Sequence, residues 1–277
     1  MKPNPKALFA YFEEEAKRFS GHFGLAAQRA DAEKPILFHA DHIFPTASVI
    51  KLAVLAEYFA QITTAALAPS QPVVVQAKDK VGGSGVLKDL HAGLQLTLHD
   101  IATLSITVSD NTAANLLIEQ VGGLARVNAR LQMLGMHNTT MGRPFVFNSS
   151  SDNTGTPADF LRLLWLLVQD QLISPTASQQ ILDLMQRQQY MGYIPRYLPY
   201  HPFAVEYDMP QTIAIANKVG MLPGTVNDAA IITAPSFIYV LVIFTRACRD
   251  TRPDPDNEAA LLVARLSKQV YDFFAAM

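Results

Sequence analysis

The chain has 277 residues, a formal net charge of −2 and a single cysteine, Cys248. One thiol excludes an internal disulfide, and interspersed charges without a lysine-rich stripe argue against a nucleic-acid partner. A hydrophobic content of 49% with 17% charged residues is typical of a globular protein with a sizeable core. Charged residues interrupt the first twenty positions, and no apolar run reaches the ~18 residues that span a bilayer. We therefore expect a soluble chain with no signal peptide in this numbering and no membrane segment.

The first half of the sequence predicts a helix, two strands and a helical middle. Apolar residues recur at helical spacing over residues 6–19, and strand-like runs follow at 22–29 and 35–39. An almost wholly apolar helix begins at Ser48 and continues to about residue 62, a pattern that indicates burial on all sides. Residues 69–90 read as loop, and further helices are predicted at 98–108, 111–121, 124–134, 157–168 and 175–188.

The C-terminal part returns to strands and ends in a helix. Strand-like runs cover 212–219, 228–233 and 237–245, and an amphipathic helix covers 257–274. Strands at both ends of the chain with helices between them predict an α+β fold, in which one sheet is assembled from both chain ends. The predicted organisation is a single discontinuous domain. Residues 1–43 and 190–277 form a sheet lobe with the terminal helices, and residues 44–189 form an inserted all-helical lobe.

Ser48 and Lys51 are the first candidates for chemistry. Residues three apart are neighbours on a helix surface, so both side chains lie on the same side of the apolar helix. A serine at a helix start is often only a cap, and a lysine there can place its tip in solvent. Both explanations are open for this pair taken alone.

Two other short motifs have equally ordinary explanations when taken alone. Ser109-Asp110-Asn111 lies between two predicted helices and could simply cap the second. Lys218-Val219-Gly220 ends a strand-like run, where edge lysines are common.

In this order, the three motifs resemble the penicillin-recognising serine hydrolases, and most closely their class A β-lactamase-like branch. The similarity extends over the segment 44–51, over residues 100–117, and to Gly224 and Asn227-Asp228. It spans roughly residues 19–274. It implies a β-lactamase-like fold with an antiparallel sheet.

The resemblance implies that Ser48, Lys51 and Ser109 are catalytic. A serine hydroxyl needs a base, and Lys51, desolvated in its apolar helix, should have a lowered pKa so that it can be neutral and accept a proton. Lys218 would be a second cation that favours neutral Lys51 and attracts an anionic substrate group. Ser109 would relay a proton to the leaving nitrogen.

Substrate binding is implied at Asn111, Lys218, Gly220 and Met221. Asn111 would hydrogen-bond the substrate's amide and Lys51. The backbone N–H groups of Ser48 and Met221 would form an oxyanion hole. Asp110 is expected to hold its loop rather than contact substrate.

The chain departs from the class A pattern in two places. Class A enzymes take the base for deacylation from a glutamate in the loop after the second motif. The corresponding stretch, residues 143–157, contains no glutamate, and Asp152 is its only carboxylate. We therefore expect slow deacylation. Val219 also replaces the usual hydroxyl residue, which predicts weaker binding of a substrate carboxylate.

The expected function is that of a serine hydrolase that forms an acyl-enzyme with β-lactams or related amides and esters. The alternatives are a D,D-peptidase or esterase on the same scaffold, and a β-lactam-binding sensor domain that is acylated without turnover. No cofactor, metal ion or obligate protein partner is expected. The expected partner is a small-molecule substrate. The sequence does not determine the cellular compartment, although the family is usually extracytoplasmic.

Overall fold

The computed structural model describes residues 4–146, 152–201, 203–204, 207–210 and 213–277. The helices are α1 (Pro5–Arg18), α2 (Lys51–Thr63), α3 (Leu98–Thr107), α4 (Asn111–Gln120), α5 (Leu124–Met133), α6 (Pro157–Val168), α7 (Pro175–Gln186) and α8 (Glu258–Ala275). The strands are β1 (His22–Arg29), β2 (Ile36–Phe38), β3 (Phe44–Pro45), β4 (Pro72–Val75), β5 (Leu94–Thr97), β6 (Thr154–Gly155), β7 (Ala214–Leu222), β8 (Thr225–Thr233) and β9 (Ile238–Arg246). Short 3₁₀ turns lie at Ala47–Ile50, Ala77–Asp79 and Ile194–Tyr197.

The main sheet combines strands from both ends of the chain. Its order is β2-β1-β9-β8-β7, and neighbouring strands are antiparallel throughout. The early strand β1 pairs with the late strand β9 from His22 opposite Arg246 to Arg29 opposite Tyr239. The prediction of an α+β fold with an antiparallel sheet built from both termini is confirmed.

Each face of the sheet packs against helices. Leu25 and Ala27 of β1 join an apolar cluster with residues of α1 and α8, whereas Ala26 faces a cluster formed by the central helices. Side chains alternate across a strand, and those on both faces of β8 and β9 are buried. This burial explains the continuous apolar run of β9 from Ile238 to Phe244.

Helix α2 lies at the centre of the helical cluster. Its residues from Lys51 to Ala60 are all buried, as its apolar sequence predicts. Glu57 forms an ion pair with Arg130 of α5 at 2.8 Å. Lys51, 0% exposed, is therefore held inside the protein rather than reaching solvent.

Two helices of the helical cluster begin with a side-chain cap. The Thr97 hydroxyl accepts a hydrogen bond from Asp100 N, and the Asp100 carboxylate accepts one from Thr97 N, which forms a capping box at α3. Thr156 caps α6 by accepting a hydrogen bond from Asp159 N, with Pro157 at the first helical position.

The structure contains two small sheets that the sequence did not predict, β3-β6 and β4-β5. Strand β4, inside the predicted loop 69–90, pairs antiparallel with β5, placing Val73 opposite Leu96. The sequence Pro-Val-Val-Val does not alternate between apolar and polar residues, so this strand is decided by the packing of Val73 and Val75 against the helical core. The division into a sheet lobe and a helical lobe at residues 43 and 190 remains a prediction.

Across the described ranges, no helix combines the length and apolar character needed to cross a bilayer.

Candidate active site

Ser48 lies in a 3₁₀ turn that leads directly into α2. Neither this turn nor α2 has a side-chain hydrogen bond at its N-cap, so Ser48 is not acting as a helix cap. The residue before it, Ala47, has a φ of 48°, a left-handed conformation that costs a non-glycine residue ~1 kcal/mol or more. Such strain is typical of functional positions. The ordinary explanation of Ser48 as a cap is wrong.

Lys51 donates its hydrogen bonds into the second motif. Its Nζ contacts Ser109 O at 2.6 Å, Asn111 Oδ1 at 2.9 Å and Ser109 Oγ at 3.1 Å. Among the described residues, Ser48 Oγ is not a hydrogen-bond partner of this amine. The predicted contact between Lys51 and Asn111 is present. Ser48 and Lys51 are neighbours because the 3₁₀ turn that contains Ser48 leads into α2 at Lys51.

Ser109 lies between the two buried lysines. Its Oγ is 3.1 Å from Lys51 Nζ and 3.0 Å from Lys218 Nζ. Like Ala47, it has a left-handed backbone, with a φ of 54°. The three predicted motifs therefore meet at one hydroxyl.

Asp110 holds the loop, as its sequence position predicts. One carboxylate oxygen accepts hydrogen bonds from Val86 N at 2.6 Å and Leu87 N at 2.8 Å, and the other caps α4 at Ala113 N. Gly85 has a φ of 103°, and a Cβ there would lie 2.2 Å from the Asp110 carboxyl group. The glycine turn that the sequence presents as an ordinary loop is thus fixed against the second motif.

The edge strand β7 approaches the Ser48 turn at Gly220. A Cβ on Gly220 would lie 2.7 Å from Thr46 O and 2.8 Å from Ser48 N, so only glycine fits there without displacement. Met221 is paired with Val226, whose N–H donates to Thr245 Oγ1 of β9 rather than to β7. Because hydrogen-bonded and non-hydrogen-bonded pairs alternate in antiparallel strands, the Met221 N–H points outward from the free edge of β7.

The two lysines have lowered pKa values. Burial is the main cause of the low pKa of Lys51, the charge of Lys218 adds to it, and Asp110 opposes it. Burial lowers the pKa of Lys218 to about 7, with Asp228 opposing the change. An amine that is neutral near physiological pH can accept a proton, which an ordinary surface lysine cannot do.

Lys218 and Val219 occupy opposite faces of β7 and are both away from the open cleft. Lys218 is 0% exposed, and its Nζ reaches Ser109 Oγ and Val219 O. Val219 packs in the apolar cluster beneath α8. The structure therefore brings Lys218 to the second motif but does not place its amine on the cleft surface.

A cleft of about 310 Å³ opens in front of Ser48. Its lining comprises Ala47, Ser48, Gly83, Ser84, Asn111, Arg143, Phe145, Val146, Asp152, Asn153, Met221, Leu222 and Pro223. Ser48, Asn111 and Met221 of the predicted site thus share one surface. In the described part of the chain, no group of three or more His, Cys, Asp or Glu side chains is placed to hold a metal ion.

Phe145 is a cleft residue that the sequence did not identify and that contacts Lys51. Its ring centroid lies 4.3 Å from Lys51 Nζ. Asn115 of α4 fixes its backbone on both sides, accepting from Phe145 N at 2.7 Å and donating to Phe145 O at 3.0 Å. No sequence motif links Asn115 to Phe145, so the position of Phe145 in the cleft can be recognised only from the folded structure.

Asp152 lies on the same cleft wall and is partly neutralised. It forms an ion pair with Arg143 at 3.5 Å and accepts a hydrogen bond from Asn153 N at 2.8 Å. Residues 147–151 of the stretch 143–157 lie outside the described residues.

Known proteins resemble this chain in sequence and in structure. The profile of the β-lactamase enzyme family matches residues 7–274. The β-lactamase L2 of Stenotrophomonas maltophilia is 29% identical over 194 residues, which span 65% of this chain and 62% of that protein. The match thus covers less than two thirds of that relative's own length.

Two solved structures superimpose over nearly the whole chain. A β-lactamase from Sphaerobacter thermophilus has a TM-score of 0.87 at 27% identity, with 100% of this chain and 99% of that chain covered. A point mutant of PBP-A, solved as an acyl-enzyme complex with penicillin G, has a TM-score of 0.86 at 25% identity, with 98% and 97% covered.

Proposed function

Because this chain belongs to the β-lactamase enzyme family, we propose that it opens β-lactam rings by acylation of Ser48 and releases the product slowly. Family membership confirms the resemblance to penicillin-recognising serine hydrolases. The identity of the substrate and the rate of product release are our proposal.

One observation carries the proposal: Ser109 Oγ lies within hydrogen-bond distance of two fully buried amines. The distances are 3.1 Å to Lys51 Nζ and 3.0 Å to Lys218 Nζ. Two ammonium groups that both contact one hydroxyl are close enough to repel each other, so the arrangement favours a state in which at least one of the two amines is neutral. A cap, a snorkelling lysine and an edge lysine would not converge in this way.

In the first step, Ser48 Oγ attacks the carbonyl carbon of the β-lactam, and its proton passes to the neutral Lys51 amine. Catalytic hydrogen bonds are often long before substrate binds, so the separation of Ser48 from Lys51 in the free protein is compatible with this transfer. The bond formed is between Oγ and the carbonyl carbon, and the carbonyl oxygen becomes an oxyanion.

The oxyanion is bound by the backbone N–H groups of Ser48 and Met221. Gly220 lets β7 approach close enough for both donors to face one oxygen. A donor of this kind contributes on the order of 3 kcal/mol to lowering the barrier.

In the second step, the ring carbon–nitrogen bond breaks and the nitrogen takes a proton from Ser109 Oγ. Lys51, which now carries the proton from Ser48, returns it to Ser109. The proton balance closes, leaving an acyl-enzyme and two neutral catalytic groups. Asn111, which lines the cleft and contacts Lys51, binds the substrate's side-chain amide.

Breakdown of the acyl-enzyme needs a base to activate water, and the wall that faces Lys51 supplies an aromatic ring. The ring of Phe145 cannot accept a proton, and Asp152 is held by Arg143. General-base assistance is worth ~10²–10⁴-fold, so its loss lengthens the life of the acyl-enzyme by that order.

The test is to incubate the protein with a fluorescent penicillin and a chromogenic cephalosporin, and to follow intact mass and turnover together. We expect a one-to-one adduct that maps to Ser48 and turnover that is slow after its formation. Absence of an adduct, with hydrolysis unchanged in Ser48→Ala, would contradict the proposal.

The same observation of Phe145 favours a second candidate, a D,D-peptidase or esterase on the same scaffold, which would not need the missing glutamate. Support also comes from the structural similarity to PBP-A, a mutant of which forms an acyl-enzyme with penicillin G. Hydrolysis of D-alanyl peptides or thioesters faster than of β-lactams would favour this candidate. A stable adduct without any turnover would instead favour a β-lactam-binding sensor domain.

A further inference from the structure

Ser109 has a left-handed backbone conformation that has to be held from both sides. Its φ is 54°, and a non-glycine residue keeps such a conformation only where the surrounding structure fixes it. On the α4 side, the Asp110 carboxylate is anchored by the N–H groups of Val86 and Leu87. The other side is the end of α3, which stops at Thr107, two residues before Ser109. The groups that hold this end have no role in the proposed mechanism.

Three consecutive carbonyl groups at the end of α3 accept hydrogen bonds from residues 188–190, the segment that follows α7. The pairs run in chain order and are Gln188 Nε2 to Ile106 O at 3.0 Å, Gln189 N to Thr107 O at 3.0 Å and Tyr190 Oη to Val108 O at 3.4 Å. The last carbonyl groups of a helix have no partner within the helix. Residues 188–190, which we call the α3 clamp, therefore supply partners that α3 itself lacks.

Gln188 is the centre of the α3 clamp. It is 5% exposed, and its Oε1 accepts hydrogen bonds from Gln189 N at 3.0 Å and Tyr190 N at 3.1 Å. The reverse orientation of the amide would turn its donor toward these two N–H groups, so the hydrogen bonds determine the orientation. One buried amide thus fixes the backbone of its own segment and attaches that segment to Ile106 of α3.

The α3 clamp also contacts the strand that carries Lys218. Tyr190 O accepts a hydrogen bond from Asn217 Nδ2 at 3.5 Å, and Asn217 precedes Lys218 in β7. The clamp therefore joins the helix that ends before Ser109 to the strand that carries Lys218. The separation of these two elements sets the distance from Ser109 Oγ to Lys218 Nζ, which is 3.0 Å.

We propose that Gln188 is a positioning residue, which acts through the end of α3 to hold the Ser109 hydroxyl between Lys51 and Lys218. The kinetic consequence of this inference rests on the proposed function, in which Ser109 gives a proton to the leaving nitrogen. Its geometric part is independent of any reaction.

The kinetic test uses Gln188→Met, which keeps the length of the side chain and removes both its donor and its acceptor. Rapid mixing with a chromogenic cephalosporin at several concentrations separates the dissociation constant of the non-covalent complex from the rate constant of acylation. We expect the rate constant to fall by ~10²-fold, the cost that a misplacement of about 1 Å can have. The dissociation constant should not change, because the described residues that line the cleft include none of the clamp.

A second measurement needs no substrate. Asp110 N donates to Leu104 O at 3.0 Å across the turn that contains Ser109, so amide hydrogen exchange at Asp110 reports local opening of that turn. In Gln188→Met, a buried carbonyl group loses its partner, and we expect this exchange to be faster by about tenfold. Tyr190→Phe, which removes one hydroxyl group and keeps the test possible if Gln188→Met does not fold, should accelerate the exchange about threefold.

The matched control is Ser178→Ala. Ser178 is 0% exposed, and its Oγ donates to Leu172 O at 3.0 Å, so this variant loses a buried hydrogen bond near the other end of α7. Its free energy of unfolding in urea measures what a general loss of stability does. Both the acylation rate constant and the Asp110 exchange rate should keep their wild-type values.

An unchanged acylation rate constant in Gln188→Met overturns the inference, and so does an equal change in Ser178→Ala or a loss that lies entirely in the dissociation constant. If Asp110 exchange is faster only in the clamp variants but no adduct forms on Ser48 in any protein, the clamp stands and the proposed function fails. If Gln188→Met forms the adduct at the wild-type rate, the proposed function stands and this inference fails.

Discussion

The two walls of the active-site cleft differ in what they can do with a proton. The wall formed by the Ser48 turn, the Ser109 loop and β7 contains two amines with lowered pKa values around one hydroxyl, and outward backbone donors beside Ser48. The opposite wall presents the Phe145 ring to Lys51 and an aspartate that is already paired with Arg143.

This contrast separates formation of an acyl-enzyme from its hydrolysis. Both steps act on the same carbonyl carbon, but attack by serine and attack by water need bases in different places. We propose that the chain has the groups for the first attack, and that the Phe145 ring stands on the wall from which a base for the second attack would act. Its fold alone does not decide between a rapid hydrolase and a slow acyl-enzyme former, because the deciding residue lies in one loop.

The largest effect is expected from Ser48→Ala. Removal of the proposed nucleophile should lower hydrolysis by ~10⁴-fold or more and abolish the covalent adduct. The measurement is intact mass after incubation with penicillin. Ser84→Ala, a hydroxyl removed from the same cleft wall, is the control and should still be acylated.

Phe145→Glu should accelerate deacylation by ~10²–10⁴-fold, because it places a carboxylate beside Lys51 where water can be activated. The rate is measured by the loss of mass adduct after excess substrate is removed. Phe145→Gln is the matched control, since it has the same size and polarity without a base. Equal acceleration in both variants would mean that opening the wall to water, rather than the base, is responsible.

Gly220→Ala tests the first wall. A methyl group there would press on Ser48 N and Thr46 O, and should move one oxyanion donor out of position. We expect acylation to slow by ~10²–10³-fold, the usual effect of losing such a donor. Gly192→Ala, where a Cβ would meet, among the described residues, only Pro255 at 4.0 Å, should acylate at the wild-type rate.

Asp152→Asn should have the smallest effect. Its carboxylate is partly exposed and paired with Arg143, and an exposed ion pair contributes at most ~1 kcal/mol, which corresponds to about a fivefold change in rate. Deacylation is followed as for Phe145→Glu. A loss of a hundredfold or more would identify Asp152 as the base and remove the contrast between the walls.

Much of the first wall could be predicted from sequence because its groups lie in short motifs on regular elements. The three-residue spacing of Ser48 and Lys51 follows from helix geometry, and the apolar sequence of α2 already implies a buried amine. Asp110 could likewise be assigned to the loop because carboxylates commonly cap helices.

The second wall could not be predicted because it depends on contacts between distant residues. Phe145 reaches Lys51 only because Asn115 holds both of its backbone polar groups. The contact of Asp228 with Ile194 depends in the same way on the packing of a 3₁₀ turn against the sheet. The sequence showed only that a glutamate is absent, and not what stands in its place.

The most direct test of the account is the ratio of the acylation and deacylation rates in the wild-type protein. Rapid mixing with a chromogenic cephalosporin measures the first rate as a burst, and the steady state that follows measures the second. We predict a burst of one equivalent per protein followed by slow turnover, with the adduct present on Ser48 throughout the steady state. Fast turnover with no burst and no accumulated adduct would contradict the proposed difference between the two walls.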